Sequence, residues 1–356
     1  MNKNKSTSKI WIKDIAEKAG TSIGSVDRVL HGRPNVSEEV RKRVEQALKE
    51  LDYEPNRYAS ALASNKDYRF VAFIPSPELE PYWGEVSQGL QDAIQNYRDF
   101  NLSLEELYYN IFSPESYNKG LKEILDRQPD GVILAPQLSA ITYNFCQHLK
   151  ENNIPFTFLD SNIHDLDALT FYGQDSLMSG RFAARMSVLE AAPEKEFLIV
   201  HFDIPSLQQY NREVGFREFI HKNHPGSVIH ELSISPKDPN AHEVLNDFRE
   251  KHPEVHFVCT FCSHTHVVAR FIQEKGITDW HMMGYDMLDP NVNFLKQGII
   301  RFLIAQHPWQ QGYGCVDALF HHIVLKKEIK RTNFMPIELL TAENCDFYLK
   351  NAKTTY

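Results

Sequence analysis

The sequence predicts a small N-terminal all-α head joined to a larger α/β core of two doubly wound parallel sheets. Three observations carry that expectation. Residues 12–51 repeat apolar residues at helical spacing in three short runs. From Arg69 onward, near-continuous apolar strands alternate with helical stretches, the pattern of parallel sheets covered on both faces. The chain has 356 residues, 42% apolar and 24% charged, which is enough for two or three globular domains with cores of their own.

The head is read first. Ile12, Ile15, Ala16 and Ala19 line one face of a first helix, which Gly20 ends. Thr21 and Ser22 are natural caps for a second helix over Ile23–Leu30, with Val26, Val29 and Leu30 on its apolar side, closed by Gly32 and Pro34. Ser37 caps a third, with Glu38 and Glu39 favourably placed in its first turn and Val40, Val44, Ala47, Leu48 and Leu51 as its buried stripe. Two short helices joined by a tight Gly-containing turn and braced by a third form a helix-turn-helix pattern. The outward residues of the second helix would be Ile23, Gly24, Ser25, Asp27 and Arg28. Arg28 suits a guanine edge and Asp27 a cytosine amine in the major groove. The same spacing also fits a purely structural three-helix bundle. Tyr53–Ala63 follows, with Pro55 suited to a first helical turn; the segment is too short to hold a helix alone and reads as a linker.

In the body the strand candidates are Phe70–Pro75, Asp130–Ala135, Phe156–Asp160, Phe197–Phe202, Val255–Phe261, Met282–Tyr285 and Phe302–Ala305. Neither GxGxxG nor a Walker A motif occurs, so nothing points to dinucleotide or ATP chemistry. No apolar run approaches the ~18 residues needed to span a bilayer, and the polar start MNKNKSTSK lacks the apolar core of an export signal. Cysteines at 146, 259, 262, 315 and 345 are odd in number and scattered, which argues against a disulfide framework and for a reducing cytoplasm. Charge is uneven. Residues 1–69 hold 14 Lys and Arg against 10 Asp and Glu, a surplus of four positive charges; the remainder hold 24 against 37, thirteen negative charges in excess. Only the head is suited to a polyanion.

The stretch IKDIAEKAGTSIGSVDRVLHGRPNVSEEVRKRVEQALKELDYEPNRYASALA resembles, without gaps, the head of the LacI/GalR family of bacterial transcription regulators, through its DIA, AG, S-V-x-R-V-L, N-V-S and Y-x-P-N-R signatures. The resemblance implies that Ile23 and Gly24 stand at the two main base-reading positions and that Arg28 also faces the groove. It implies that Asn56, Ala59 and Leu62 belong to a hinge helix that folds on operator DNA, where Leu62 and its dimer mate wedge into the minor groove. Asp27 replaces a family serine that touches phosphate, so it must avoid phosphate or pair with Arg28. Ser60 replaces a common arginine, and Gly24 offers no side chain for readout.

The body resembles that family's two-lobed, periplasmic-binding-protein-like core, in its ribose-binding-like branch. Candidate effector contacts lie after strands, where open α/β sheets bind ligands: Glu80, Tyr82 and Trp83, then Asp160 and Ser161, Arg212 in NREVGF, Cys262 after VCTF, Asp286 in GYD and Gln306 in IAQHP. The carboxylates accept from sugar hydroxyls, Arg212 donates and Gln306 does either. Tyr82 and Trp83 offer flat faces to a ring, one of them being expected to serve as core instead. Cys262 replaces a common asparagine.

Two rival constellations were weighed against this. Cys259-Thr-Phe-Cys262-Ser-His264-Thr-His266 has metal-like spacing, but strand side chains three apart point to opposite faces. No metal or cofactor is therefore expected. Asp160 and Asp286 could flank a glycosidic bond, but the resembled family binds without turnover, so no catalytic residue is assigned. A carbohydrate-processing enzyme and a solute-binding protein are the alternatives; a purine effector also fits the family.

The expectation is a DNA-binding head over 1–53, a hinge helix and linker over 54–66, and a two-lobed core over 67–356. One lobe takes about 67–175 and 308–330, the other about 176–307 and 331–356, hinged near 173–180, 306–308 and 330–333. The protein is expected to be a cytoplasmic homodimeric repressor on a pseudo-palindromic operator, controlled by a sugar or sugar derivative in the interlobe cleft.

Overall fold

The computed structural model describes residues 10–30, 33–53, 57–64, 66–137, 139–190 and 196–353. Gly32, Pro55 and Asn56, which carried expectations above, lie outside the described residues. The chain divides into two compact units, Met1–Asn65 and Lys66–Tyr356.

In the first unit, α1 (Ile12–Lys18), α2 (Ile23–Leu30) and α3 (Glu38–Glu50) enclose Ile15, Ala16, Ala19, Val26, Val44 and Ala47. Gly20 turns the chain out of α1 at φ +57°, a conformation glycine adopts without a Cβ penalty. Ser22 Oγ accepts from Ser25 N at 3.1 Å and Ser37 Oγ from Val40 N at 3.4 Å, so both caps lie where the sequence suggests. A fourth helix, α4 (Arg57–Ser64), has no buried residue.

The second unit starts with β1 (Tyr68–Pro75), α5 (Tyr82–Asn96), β2 (Leu102–Tyr109), α6 (Pro114–Asp126), β3 (Gly131–Leu134), α7 (Ala140–Glu151), β4 (Phe156–Leu159) and β5 (Thr170–Gly173). It crosses to α8 (Ser176–Glu190), β6 (Glu196–Phe202), α9 (Leu207–Asn223), β7 (Val228–Ile234), α10 (Ala241–Lys251), β8 (Phe257–Thr260), α11 (Thr265–Glu274), β9 (His281–Tyr285), α12 (Asp289–Lys296) and β10 (Ile300–Ala305). It returns through α13 (Pro308–Leu319) and β11 (Thr332–Phe334), and crosses again to β12 (Glu338–Leu340) and α14 (Cys345–Asn351). The sheet orders are β11-β5-β4-β3-β1-β2 and β12-β10-β9-β8-β6-β7. All pairings are parallel except β12 on β10.

The third crossing corrects an expectation. Residues 332–334 pair with β5 in the first sheet, so the chain changes lobes at 335–337 rather than at 330–333. Gln174 ties the three crossings together. Its Nε2 donates to Ala305 O at 2.7 Å and Pro336 O at 2.6 Å, and its Oε1 accepts from Ser179 Oγ.

One helix pair in each lobe crosses on glycines. A Cβ built on Gly89 of α5 would lie 2.1 Å from Trp309 O, and one on Gly312 of α13 would lie 2.2 Å from Val86 O. Between α8 and α9 the same relation holds for Gly180 and Arg212 O, at 1.9 Å, and for Gly215 and Leu177 O, at 2.1 Å. Backbone cannot swing aside as a side chain can, so a methyl group must force the helices apart. Gly89→Ala is expected to destabilise the core by about 1–3 kcal/mol despite alanine's better helix propensity. Gly84→Ala, on the same helix with nothing within 4 Å, should instead stabilise by up to about 1 kcal/mol. Urea denaturation of the two variants checks the contrast; equal midpoints would refute the close-approach argument.

Candidate functional site

Two surfaces carry the sequence-derived candidates, one on each unit. On the head, Ile23 (56% exposed), Gly24 and Arg28 are exposed along α2, while Ser25 and Asp27 are half-buried. Asp27 pairs with Arg33 at 3.1 Å, a partner beyond the helix that the sequence did not suggest. Arg28 makes a long 3.5 Å contact to Gly24 O. Ala59 is exposed on α4, and Leu62 is 50% exposed there.

In the core, parallel strands bring their carboxyl ends to one cleft between the lobes. The cleft is lined by all nine expected residues: Glu80, Tyr82, Trp83, Asp160, Ser161, Arg212, Cys262, Asp286 and Gln306. Asp160 follows β4 at φ +64° and Asp286 follows β9 at φ +70°. Aspartate tolerates this left-handed turn better than most residues. Ser206, as cap of α9, accepts from Gln209 N at 3.2 Å and starts the helix that carries Gln208 and Arg212.

Arg212 is 2% exposed. Its Nη1 donates to Phe261 O at 3.0 Å, its Nη2 donates to Gln306 Oε1, and its guanidinium lies 4.2 Å from the centre of the Tyr285 ring. Gln306 Nε2 in turn donates to Asp286 Oδ1 at 2.5 Å. On the opposite wall, Tyr82 donates to Asp160 Oδ1 at 3.2 Å, Ser161 donates to Asp160 Oδ2 at 3.3 Å, and Gln311 Nε2 donates to the Tyr82 hydroxyl at 3.2 Å. Tyr82 and Trp83 meet edge to face with centroids 5.3 Å apart, both buried and both lining the cleft.

Burial sets the protonation states. It pushes Asp286 up to about 7, against the opposing pull of Arg212 and the Gln306 hydrogen bond. It likewise raises Asp160, which Arg212, Tyr82 and Ser161 oppose. Glu80 is pushed up to about 7 by burial, with Lys237 pulling the other way. His264 Nε2 stands 3.5 Å from Glu80 Oε1, which would allow an ion pair. Burial, however, drives His264 down to about 4, so its imidazole is neutral near pH 7 and forms no ion pair with Glu80. Three buried polar atoms in the lining find no hydrogen-bond partner among the described residues: Glu80 Oε1, Gln208 Oε1 and Arg212 Nε. They present two acceptors and one donor to whatever enters.

The lobes also touch at the cleft. Ile111 and Phe112, after β2, pack against the second lobe's core, and Lys237 Nζ sits 4.3 Å from the Phe112 ring centre. Gln137, Gln208 and Tyr109 line the cleft and were missed in the sequence. Gln137 and Gln208 follow β3 and β6, so the rule that ligands bind beyond strand ends could have found them; Tyr109 ends β2, a strand the sequence reading did not identify.

The cysteine cluster separates as strand geometry requires. Cys259 packs among Phe197, Ile199 and Phe216, and Cys262 among Leu198, Val200 and Phe202, on opposite faces of the sheet.

Residues 71–328 match the periplasmic binding protein domain, and residues 11–56 match the bacterial regulatory proteins of the lacI family. The chain is 36% identical over 248 residues to YkvZ of Bacillus subtilis (strain 168), described as an uncharacterized HTH-type transcriptional regulator, covering 66% of this chain and 74% of that one. The structure of a candidate LacI transcriptional regulator from Bacteroides fragilis superposes with a TM-score of 0.77 at 37% identity, covering 80% of this chain and all of that one. GanP, a glucose-galactose binding protein from Geobacillus stearothermophilus, shares the fold at 20% identity, with a TM-score of 0.70 over 79% of this chain and 99% of its own.

Proposed function

This chain belongs to the lacI family of bacterial regulatory proteins, with a periplasmic-binding-type core, and on that premise we propose how it works. As its relatives are transcriptional regulators, it is a DNA-binding regulator and not an enzyme. We propose that it acts as a cytoplasmic homodimer on a pseudo-palindromic operator, one head per half-site. Ile23, Gly24, Ser25, Asp27 and Arg28 face the major groove, with Arg28 the principal base-reading donor. Asn56, Ala59 and Leu62 act at the minor groove.

The effector is proposed to be a neutral sugar held by Glu80, Tyr82, Trp83, Asp160, Ser161, Arg212, Cys262, Asp286 and Gln306. The observation that carries this is the balance of charge in the cleft. Two buried carboxyls, Glu80 and Asp286, and the half-buried Asp160 face one guanidinium, two of whose nitrogens are already bonded to protein oxygens. A phosphate or carboxylate would meet more acceptors than donors, whereas hydroxyls donate to Glu80 Oε1 and Gln208 Oε1 and accept from Arg212 Nε. Closure of the lobes on the sugar favours one arrangement of the hinge helices, and operator affinity follows by linkage.

The test is a thermal-shift screen of the full chain over neutral monosaccharides and the same sugars phosphorylated, followed by operator binding in the presence of hits. A neutral sugar should raise the melting temperature and change operator affinity. Shifts confined to the phosphorylated set would overturn the neutral-sugar reading, and shifts without any effect on DNA would favour a solute-binding role.

A further inference from the structure

The cleft takes up the titratable groups at the carboxyl ends of the strands. A second cluster lies at the other end of the second lobe's sheet, where β6 and β7 begin. There Glu196 opens β6, His230 stands third on β7, His252 is the C-cap of α10, and Glu254 follows two residues later. Four residues of β7 separate His230 from the carboxyl end of that strand, so the cluster stands roughly 13 Å or more from the cleft end of the sheet. It shares no residue with the effector site.

One donor atom each from His230, His252 and Glu254 lies within 4.8 Å of the other two. The imidazole rings of His230 and His252 are 4.5 Å apart. His252 Nδ1 is 3.1 Å from Glu254 Oε1. Phe248 stacks on the His252 ring at 4.6 Å and meets His230 edge-on at 5.8 Å, so an apolar ring holds both imidazoles side by side. His230 Nε2 lies 2.8 Å from Glu196 Oε2, the carboxylate–imidazole contact that fixes ring orientation and tautomer in metal sites.

We propose that His230, His252 and Glu254 bind a divalent transition ion of the Zn2+ class, with Glu196 orienting His230. Two imidazoles and one carboxylate suit zinc and its neighbours and do not suit calcium or magnesium, which take oxygen ligands. A tetrahedral ion with bonds of about 2.0–2.1 Å holds its ligand atoms about 3.4 Å apart, so the three groups need to close by roughly 1 Å. His252 at a helix end and Glu254 in the loop beyond it can supply that movement by side-chain rotation. A water completes the fourth position. No motif spacing signals this site, because its ligands come from a strand, a helix cap and a loop.

The experiment is a calorimetric titration of untagged full-length protein with ZnCl2 in a non-chelating buffer. The expected result is one ion per chain with a micromolar or tighter Kd. His230→Ala and Glu254→Ala should each weaken binding at least tenfold, and Glu196→Gln should weaken it by about 10–100-fold. His242→Ala should leave it unchanged, because His242 has only the Glu274 carboxylate, at 3.2 Å, as an ion-pair partner among the described residues. Absence of wild-type binding overturns the proposal, as does binding that persists in a folded His230→Ala/His252→Ala double variant. Glu254 is exposed, so its variant tests the site without disturbing the core.

Discussion

Asp286→Asn is expected to raise the melting temperature of the protein at pH 8 while removing its response to the effector. The carboxyl of Asp286 is 4% exposed, and burial lifts it from 3.8 to about 7. Between those two values the folded chain keeps a proton that the unfolded chain has released. Stability therefore falls as pH rises through that window, and the penalty is fully in force above it. Raising the carboxyl from 3.8 to about 7 corresponds to at most about 4 kcal/mol. Asparagine carries no charge to desolvate, and its Oδ1 can still accept from Gln306 Nε2. The gain should reach several degrees at pH 8 and shrink to less than half at pH 5, where the wild-type carboxyl is largely protonated in the folded chain. Effector affinity should meanwhile drop by roughly 10–100-fold, the worth of a hydrogen bond to a charged acceptor. Thermal melts at the two pH values, with and without the sugar found by screening, measure both effects. A variant no more stable than wild type at pH 8 would show that Asp286 carries no such penalty.

Leu62→Ala should cost at least tenfold in operator affinity and leave the effector-induced thermal shift unchanged. Leu62 is half exposed on a helix with no buried residue, so its loss removes no packing from the head's core and should move stability by no more than about 0.5 kcal/mol. In the proposed operator complex it would part a base step, and alanine is too short to do so. Fluorescence anisotropy with a labelled operator checks the first half of the prediction and a thermal melt the second. Operator affinity equal to wild type would remove Leu62 from the DNA interface.

Much of this architecture was legible because burial leaves a plain record. β1 and β6 are covered on both faces over most of their length and read as near-continuous apolar runs. β2 and β7 are edge strands whose exposed positions carry residues such as Glu105 and Glu231, so no apolar run marks them. β11 and β12 are three residues each, too short for any period to register, and this is why the third lobe crossing was misplaced. In the cleft, Asp160, Asp286 and Gln306 were visible because each directly follows an apolar strand. Gln174 follows β5, a strand the sequence reading did not identify, and its tie to Pro336 spans 162 residues of sequence. The Asp27–Arg33 pair was not legible because Arg33 lies beyond the helix of Asp27 and returns to it in space.

The Gln174 tie limits how the core can move. Three separate strands of chain join the lobes, and three independent links would tolerate sliding, twisting and shear. One side chain fastening all of them at a single point leaves rotation as the soft coordinate. Displacement then grows in proportion to distance from the pin, so a small angular change at the cleft becomes a large excursion at the outer rim. A regulator built this way works as a lever, with its fulcrum at one amide.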